Sequence, residues 1–110
     1  FQTATASDYR LKENDTPISD GITRVKQLRP IRFNWKTDAS KTYDGFIAHE
    51  VTPVVPEAVV GERDGEISER GEGYQMLCQQ TLIPLLTAAL KEEIAKREAL
   101  EARIAALEGS

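Results

Sequence analysis

Ser7 and Lys12 are two residues near the start of the chain whose side chains can act together in catalysis. They stand five positions apart in the segment Ser-Asp-Tyr-Arg-Leu-Lys, which covers residues 7–12. A serine hydroxyl is a weak nucleophile until a base removes its proton, and lysine is one of the bases that serine enzymes use. A lysine acts as a base only when its pKa falls from about 10.4 toward neutrality, which requires desolvation or a neighbouring cation. The pair is therefore a candidate nucleophile and base.

The charges near Lys12 bear on this chemistry in opposite ways. Arg10 lies two residues away and, on an extended segment, points to the same face, so Arg10 and burial are the candidate causes of a neutral amine. Glu50 is a candidate ion-pair partner of Lys12 or Arg10, and a Lys12–Glu50 pair would hold the amine charged and oppose catalysis. Spacing alone favours a simpler interpretation, in which Ser7 forms a turn or a helix cap and Lys12 is solvated.

A short helix is predicted after this segment. Ile22, Val25 and Leu28 recur every three residues, which is typical of an amphipathic helix. Asp20 or the preceding serine is a plausible cap, and Pro30 stops the helix because it steers the residue before it away from the α region.

Strands and turns are predicted for the middle of the chain. Alternation of apolar and polar residues over 31–36 indicates a strand with one buried face, so Phe33 and Trp35 are expected in the core. The further elements expected are a polar turn at 37–44, a buried strand at 45–48, one or two helical turns within 49–55, a strand at 58–60, a mobile excursion at 61–73 and a returning strand at 74–77. The excursion is interpreted as a protruding hairpin, with a clamp onto a partner as the weaker alternative.

A long helix is predicted from about residue 81 to residue 108, and it carries a broken heptad pattern. The core positions of this pattern are Ile83, Leu86, Leu90, Arg97, Leu100, Ile104 and Leu107, with Glu93 at one core position and Ile94 one residue later. An arginine at a core position marks a polar layer or shifts the number of partners. We expect this helix to self-associate rather than to lie on its own sheet, and the pattern leaves the number of chains open.

Length and composition are those of one globular domain with a modest core. The chain has 110 residues, of which 40% are hydrophobic and 29% are charged. The net charge is −4 and the basic residues do not cluster, so no nucleic-acid partner is expected. No apolar run approaches the ~20 residues of a membrane span, so no membrane partner is expected. Because the chain starts at Phe1, we expect it to be a piece of a longer protein.

Other residue types that often form sites are assigned structural roles. Cys78 is the single cysteine and is expected to be a small buried side chain near a helix start. His49 is the single histidine, for which hydrogen bonding in the core or an interface is favoured over proton transfer. The sequence contains no phosphate loop, nucleotide fingerprint or metal cluster, so no cofactor and no metal are expected.

Five segments of the chain, taken in order, carry a family resemblance. They are residues 7–14, 28–36, 45–51, 56–59 and 82–86. Together they closely resemble the intramolecular chaperone auto-processing domain at the C-terminus of phage tailspikes and tail fibres, over roughly residues 7–108. The resemblance implies a catalytic Ser7–Lys12 dyad, cleavage of the bond between Ala6 and Ser7, and a homotrimer. It thereby reverses the preference for a simple turn at Ser7.

The resemblance and the pattern together give one interpretation of the whole chain. We expect an α+β fold with a small antiparallel sheet, short helices and a long C-terminal helix (81–108) that forms a trimeric coiled-coil-like bundle. Residues 1–6 are expected to be the remnant of an upstream fibre or stalk, and residues 7–110 the chaperone domain. The expected function is to trimerise and register that upstream fibre in the host cytoplasm and then to leave the virion by autoproteolysis. A non-cleaving trimerisation cap and a receptor-binding fibre tip are the alternatives.

Overall fold

Two β-hairpins, three α-helices and short 3-10 turns make up residues 4–109, the part of the chain that this computed structural model describes. The α-helices are α1 (Gly21–Val25), α2 (Ala48–Val51) and α3 (Ile83–Glu108). The strands are β1 (Ile31–Trp35), β2 (Asp38–Gly45), β3 (Val59–Val60) and β4 (Met76–Leu77). The predicted α+β class with a long C-terminal helix is confirmed. The strands form two separate two-stranded antiparallel sheets, β1–β2 and β3–β4, instead of one.

The core lies where α2, the turns around it and the start of α3 meet. Its buried residues are Val51, Val54, Val55, Ala58, Leu82 and Leu85. Val51 and Val55 come from one helical turn that closes on itself, since the Val55 amide donates to the Val51 carbonyl at 2.9 Å. This core is small, so only the first turns of α3 bury side chains within one chain.

Helix α1 packs directly on α3 through a glycine. Gly21 is buried, and a Cβ atom built on it would lie 2.7 Å from the Ala89 amide nitrogen. The guanidinium of Arg24 then reaches across and donates to the Val54 carbonyl at 2.9 and 3.2 Å. Glycine and arginine together fix α1 between α3 and the turn after α2. The predicted cap Asp20 occupies the N-cap position but makes no side-chain capping hydrogen bond.

The β1–β2 hairpin differs from three predictions. The turn occupies residues 36–37, and β2 spans Asp38–Gly45 where a turn was predicted, so the buried strand predicted at 45–48 is wrong. Local antiparallel pairing with β1 holds these polar residues in a strand without burying them. Trp35 is 57% exposed and makes ring contacts with Phe33 and Tyr43, so its predicted place in the core is also wrong.

The excursion predicted at residues 61–73 lies within the loop that joins β3 to β4 in an antiparallel hairpin. Val59 pairs with Leu77 and Val60 with Met76 in antiparallel register. Gly61 and Gly73, at the two ends of the excursion, have φ of 93° and 121°, a region that L side chains avoid. The hairpin interpretation of this stretch is therefore confirmed.

Helix α3 has 26 residues, which at 1.5 Å per residue is about 39 Å. A 3-10 turn at Gln79–Leu82 leads into it, close to the predicted start. From residue 93 to residue 109 every described residue is exposed. The second half of the helix thus extends away from the core of its own chain. An i,i+4 ion pair joins Arg97 to Glu101 at 3.5 Å in this half of the helix.

Candidate active site

The segment that contains Ser7 and Lys12 is shaped by hydrogen bonds within itself. Asp8 occupies the N-cap position of a 3-10 turn at Tyr9–Leu11, and its carboxylate accepts from the Arg10 amide at 2.9 Å. The turn is closed by the Leu11 amide, which donates to the Asp8 carbonyl at 3.0 Å. Lys12 follows in extended conformation, with φ −120° and ψ 146°. A short acidic residue before a turn is a strong local signal, and it determines the course of the chain here.

This turn brings the predicted nucleophile and the predicted base together. Lys12 Nζ lies 2.6 Å from Ser7 Oγ and donates a hydrogen bond to it. The same separation suits the opposite direction of donation, from the serine hydroxyl to a neutral amine. The pair thus has the contact that proton transfer from serine to lysine requires.

Arg10 does not act as the lone cation beside Lys12 that the sequence suggested. Its guanidinium makes a bidentate ion pair with the Asp8 carboxylate, from Nε at 2.9 Å and from Nη2 at 3.1 Å. These hydrogen bonds hold the pKa of the Asp8 carboxyl below its usual value and raise the pKa of Arg10. Charge at this position is thus largely cancelled within the pair.

Glu50 likewise has a different partner from the one suggested. Its carboxylate accepts from Arg29 at 2.8 and 2.9 Å, which ties α2 to the stretch before β1. The hydrogen bond from Arg29 holds the pKa of Glu50 below its usual value. The ion pair that would have opposed catalysis by holding Lys12 charged is therefore not formed with Glu50.

Solvent surrounds the whole candidate site in a single chain. Every residue from 4 to 20 is exposed, including Ala6, Ser7 and Lys12. Asn14, a polar residue two positions after Lys12, lies at a bend and has a φ of 54°. Hydrogen bonds among the described residues assign no donor to a developing oxyanion.

The remaining residues considered from the sequence lie apart from this site. His49 is half-buried and lines an open cavity together with residues of the excursion, including Asp64, and with Tyr74 just after it. Cys78 is exposed at the start of the turn that leads into α3, so its predicted burial is wrong. Hydrogen bonding from the Thr81 side chain and, secondarily, its backbone amide lowers the pKa of the Cys78 thiol.

Metal sites and membrane-spanning helices are both absent from residues 4–109. No group of three or more histidine, cysteine, aspartate or glutamate side chains is placed there to hold a metal ion. None of the helices in these residues combines the length and the hydropathy that crossing a bilayer would demand.

Sequence reasoning found the serine and the lysine but missed the pairing of Asp8 with Arg10. The signal was present as an aspartate followed two positions later by an arginine at the start of a turn. Such spacing lets one carboxylate cap a backbone amide and also bind the guanidinium. The sequence analysis assigns Arg10 a role only through its charge, beside Lys12 or as a partner of Glu50.

Comparison with known proteins gives one family match and two relatives of this chain. Residues 7–60 match the model of a peptidase family described as chaperone of endosialidase. The chain is 31% identical over 102 residues to the long tail fiber protein Gp37 of Enterobacteria phage K3, and equally to that of phage T2. The alignments cover 89% of this chain but only 8% and 7% of those two proteins.

The family match begins at Ser7, the first residue of the candidate dyad. Residues 7–60 therefore carry the match to the chaperone-of-endosialidase family of peptidases, and the chain is an intramolecular chaperone domain of the phage-fibre type. The family and the two tail-fibre relatives support a role in tail-fibre assembly.

Proposed function

We propose that this domain holds three copies of its chain in register while an upstream phage fibre or tailspike folds, and then releases itself by cutting before Ser7. The observation that carries the proposal is the 2.6 Å contact between Ser7 Oγ and Lys12 Nζ at the first position of the family match. Assembly would take place in the host cytoplasm, and the cut domain would leave the mature virion.

The proposed reaction opens the peptide bond between Ala6 and Ser7. Ser7 Oγ bonds to the Ala6 carbonyl carbon while the hydroxyl proton moves to Lys12 Nζ. That proton passes to the departing amide nitrogen of Ser7, and the carbon–nitrogen bond breaks to leave an ester. Water then attacks the ester, giving Ala6 a carboxyl group and returning a proton to Ser7 Oγ.

The lysine can begin this reaction only as a neutral amine, a form that requires cover from solvent. Desolvation is what shifts an amine toward neutrality, yet Ser7 and Lys12 are both exposed. In this proposal the covering surface comes from the assembled protein, from neighbouring copies or from the folded fibre. Cleavage would therefore follow assembly rather than precede it.

The surface of α3 supports self-association of the chains. An apolar stripe of exposed side chains follows the helix from its start to its end: Ile83, Leu86, Leu90, Ile94, Leu100, Ile104 and Leu107. The stripe lies beside the face that buries Leu82, Leu85 and Ala89, so the core of the same chain does not cover it. A stripe at this spacing, extending past the core, suits packing between helices of several copies.

Trimerisation would help an intertwined fibre to fold. Strand pairing between distant parts of separate chains carries a loop-closure and association cost before any contact forms. Joining three chain ends at one helical bundle raises their effective concentration and fixes their register. Once the bundle is cut off, an unfolded fibre could not easily re-register, so the fibre's stability becomes kinetic.

The test of cleavage uses a chain that includes the native fibre segment before Ala6. Wild type should yield two fragments whose masses place the cut between Ala6 and Ser7, while Ser7→Ala and Lys12→Ala should stay intact. Intact wild type would show a non-cleaving cap instead. A cut that persists in Ser7→Ala would remove the serine mechanism.

The test of assembly changes the apolar stripe and keeps the active-site segment. Leu100→Ser with Ile104→Ser should convert a trimer into monomers and slow cleavage, measured by sedimentation and by fragment mass. The matched control is Glu98→Ser with Ala102→Ser, two exposed positions off the stripe, which should remain trimeric. Monomeric wild type would contradict the trimer.

A further inference from the structure

We propose that Asp8 and Arg10 are positioning residues for the Ser7–Lys12 pair: their ion pair fixes the turn that brings the amine to the hydroxyl, and it keeps the Asp8 carboxylate from pairing with that amine. This inference rests on the proposed function, because it concerns how the same cleavage is made possible. Neither residue touches the reacting atoms.

The first half of the inference comes from the geometry of the turn. Asp8 Oδ1 accepts from both the backbone amide and the Nε of Arg10, each at 2.9 Å, and Oδ2 accepts from Nη2 at 3.1 Å. One carboxylate therefore holds the backbone and the side chain of the same residue in the middle of the turn. Lys12 leaves this turn in extended conformation and reaches back to Ser7, so its direction depends on the turn being closed.

The second half comes from what Asp8 would do without Arg10. Asp8 lies between Ser7 and the turn, and its carboxylate is the acidic group nearest in sequence to Ser7. A carboxylate near an amine favours the ammonium form, which cannot accept the serine proton. Because Arg10 occupies both carboxylate oxygens, the charge of Asp8 is already matched. Glu13 and Asp15 are the other acidic residues that follow on this exposed segment.

Because the Asp8–Arg10 ion pair is exposed, we expect it to orient the segment rather than to stabilise the fold. Ion pairs in water contribute little to overall stability, and the Asp8–Arg10 pair joins residues two positions apart within one turn. Its loss should therefore leave folding and assembly nearly unchanged. A bidentate pair still restricts direction, and direction is what the transfer of a proton across 2.6 Å depends on.

The experiment measures the cleavage rate against pH in the chain that carries its native upstream segment. Arg10→Ala should slow cleavage about tenfold near neutral pH and move the inflection of the pH–rate profile upward, because the freed carboxylate holds the amine charged. Adding Asp8→Asn to Arg10→Ala should return the inflection to the wild-type position while the maximum rate stays low. Arg10→Lys, which can keep one ion-pair contact, should fall between wild type and Arg10→Ala.

The matched control is Arg32→Ala on the β1–β2 hairpin, which removes an exposed arginine that pairs with Asp44 at 3.0 Å. It should cleave as wild type does, and all variants should keep wild-type oligomer mass. If Arg10→Ala cleaves with the wild-type rate and profile, the positioning role is wrong while the proposed function stands. If wild type itself is never cut, the proposed function fails and this inference falls with it.

Discussion

The first turns of α3 with the residues packed on them, and the segment from Ala4 to Asp20, are organised by different forces. In the packed region, side chains such as Leu82 and Val55 are each 1% exposed and the elements contact one another at distance in sequence. In the N-terminal segment every residue is exposed, and the hydrogen bonds of its motif join residues at most five apart. One region folds by burying apolar surface, and the other keeps its shape by local polar contacts.

If Ser7 and Lys12 carry out the proposed cleavage, stability and chemistry are located in different parts of the chain. The Ser7–Lys12 contact can form without the core, since all its partners lie between residues 7 and 12. What the segment lacks in a single chain is cover from solvent. A site that is already formed but uncovered can wait for assembly without needing a large rearrangement.

The largest expected difference between the two regions comes from the same substitution, leucine to alanine, made once in each of them. Leu82→Ala removes a side chain that is 1% exposed and should lower the free energy of unfolding by about 2–5 kcal/mol. Leu11→Ala removes one that is 71% exposed and should change it by less than about 0.5 kcal/mol. Both are measured by urea denaturation in the monomeric Leu100→Ser/Ile104→Ser background. Equal effects would show that the segment packs on the core after all.

A smaller effect tests the contact between α1 and α3. Gly21→Ala places a Cβ atom against the backbone of Ala88 and Ala89, at 3.0 and 2.7 Å, so the two helices must separate. Overpacking of this kind costs about 1–3 kcal/mol, which thermal unfolding would detect. Gly109→Ala is the control, because its nearest neighbour is at an ordinary 3.4 Å and no loss is expected.

Prediction from the sequence succeeded where a pattern could be satisfied locally. The three-residue spacing of Ile22 and Val25, the alternation after Pro30 and the glycine-free run of α3 each specify an element without reference to the rest of the chain. The contact between Ser7 and Lys12 is also local. These features depend on residues a few positions apart, so their periods and turn signals were enough.

The failures arose where an outcome depends on neighbours far away in the chain. Trp35 alternates like a core residue, but within residues 4–109 no further layer covers that part of the hairpin. Cys78 precedes a helix whose first turn buries Leu82 instead. Glu50 pairs with Arg29, which is 21 positions away in the sequence. Sequence spacing does not predict which of the arginines Glu50 will pair with. Burial and long-range pairing are tertiary outcomes.

The smallest expected effect is on the pH dependence of stability. It is tested at two acidic residues, one in each region, whose pKa is lowered by an arginine. The pKa of Glu50 lies below its ordinary value of 4.5 when folded, so its contribution to stability is present above that value and is lost as the pH falls through the folded pKa. The stability gap between wild type and Glu50→Gln should therefore close below about pH 4.5.

The paired variant in the exposed segment is Asp8→Asn. In wild type the Asp8 carboxylate binds an arginine two residues away, and that turn can open without the core opening. The melting temperature of Asp8→Asn should follow that of wild type across the same acid range. A gap that grows and closes as it does for Glu50→Gln would show that the segment unfolds together with the core.

The exposed aromatic hairpin has one practical consequence. Trp35 is the only tryptophan in the sequence, it is 57% exposed, and its ring lies 6.5 Å from that of Tyr43. Its fluorescence therefore arises from a single place in the fold, and the wavelength of that emission shortens when water is excluded from an indole. The emission of an unlabelled chain thus reports whether water is excluded from the hairpin when another surface covers it.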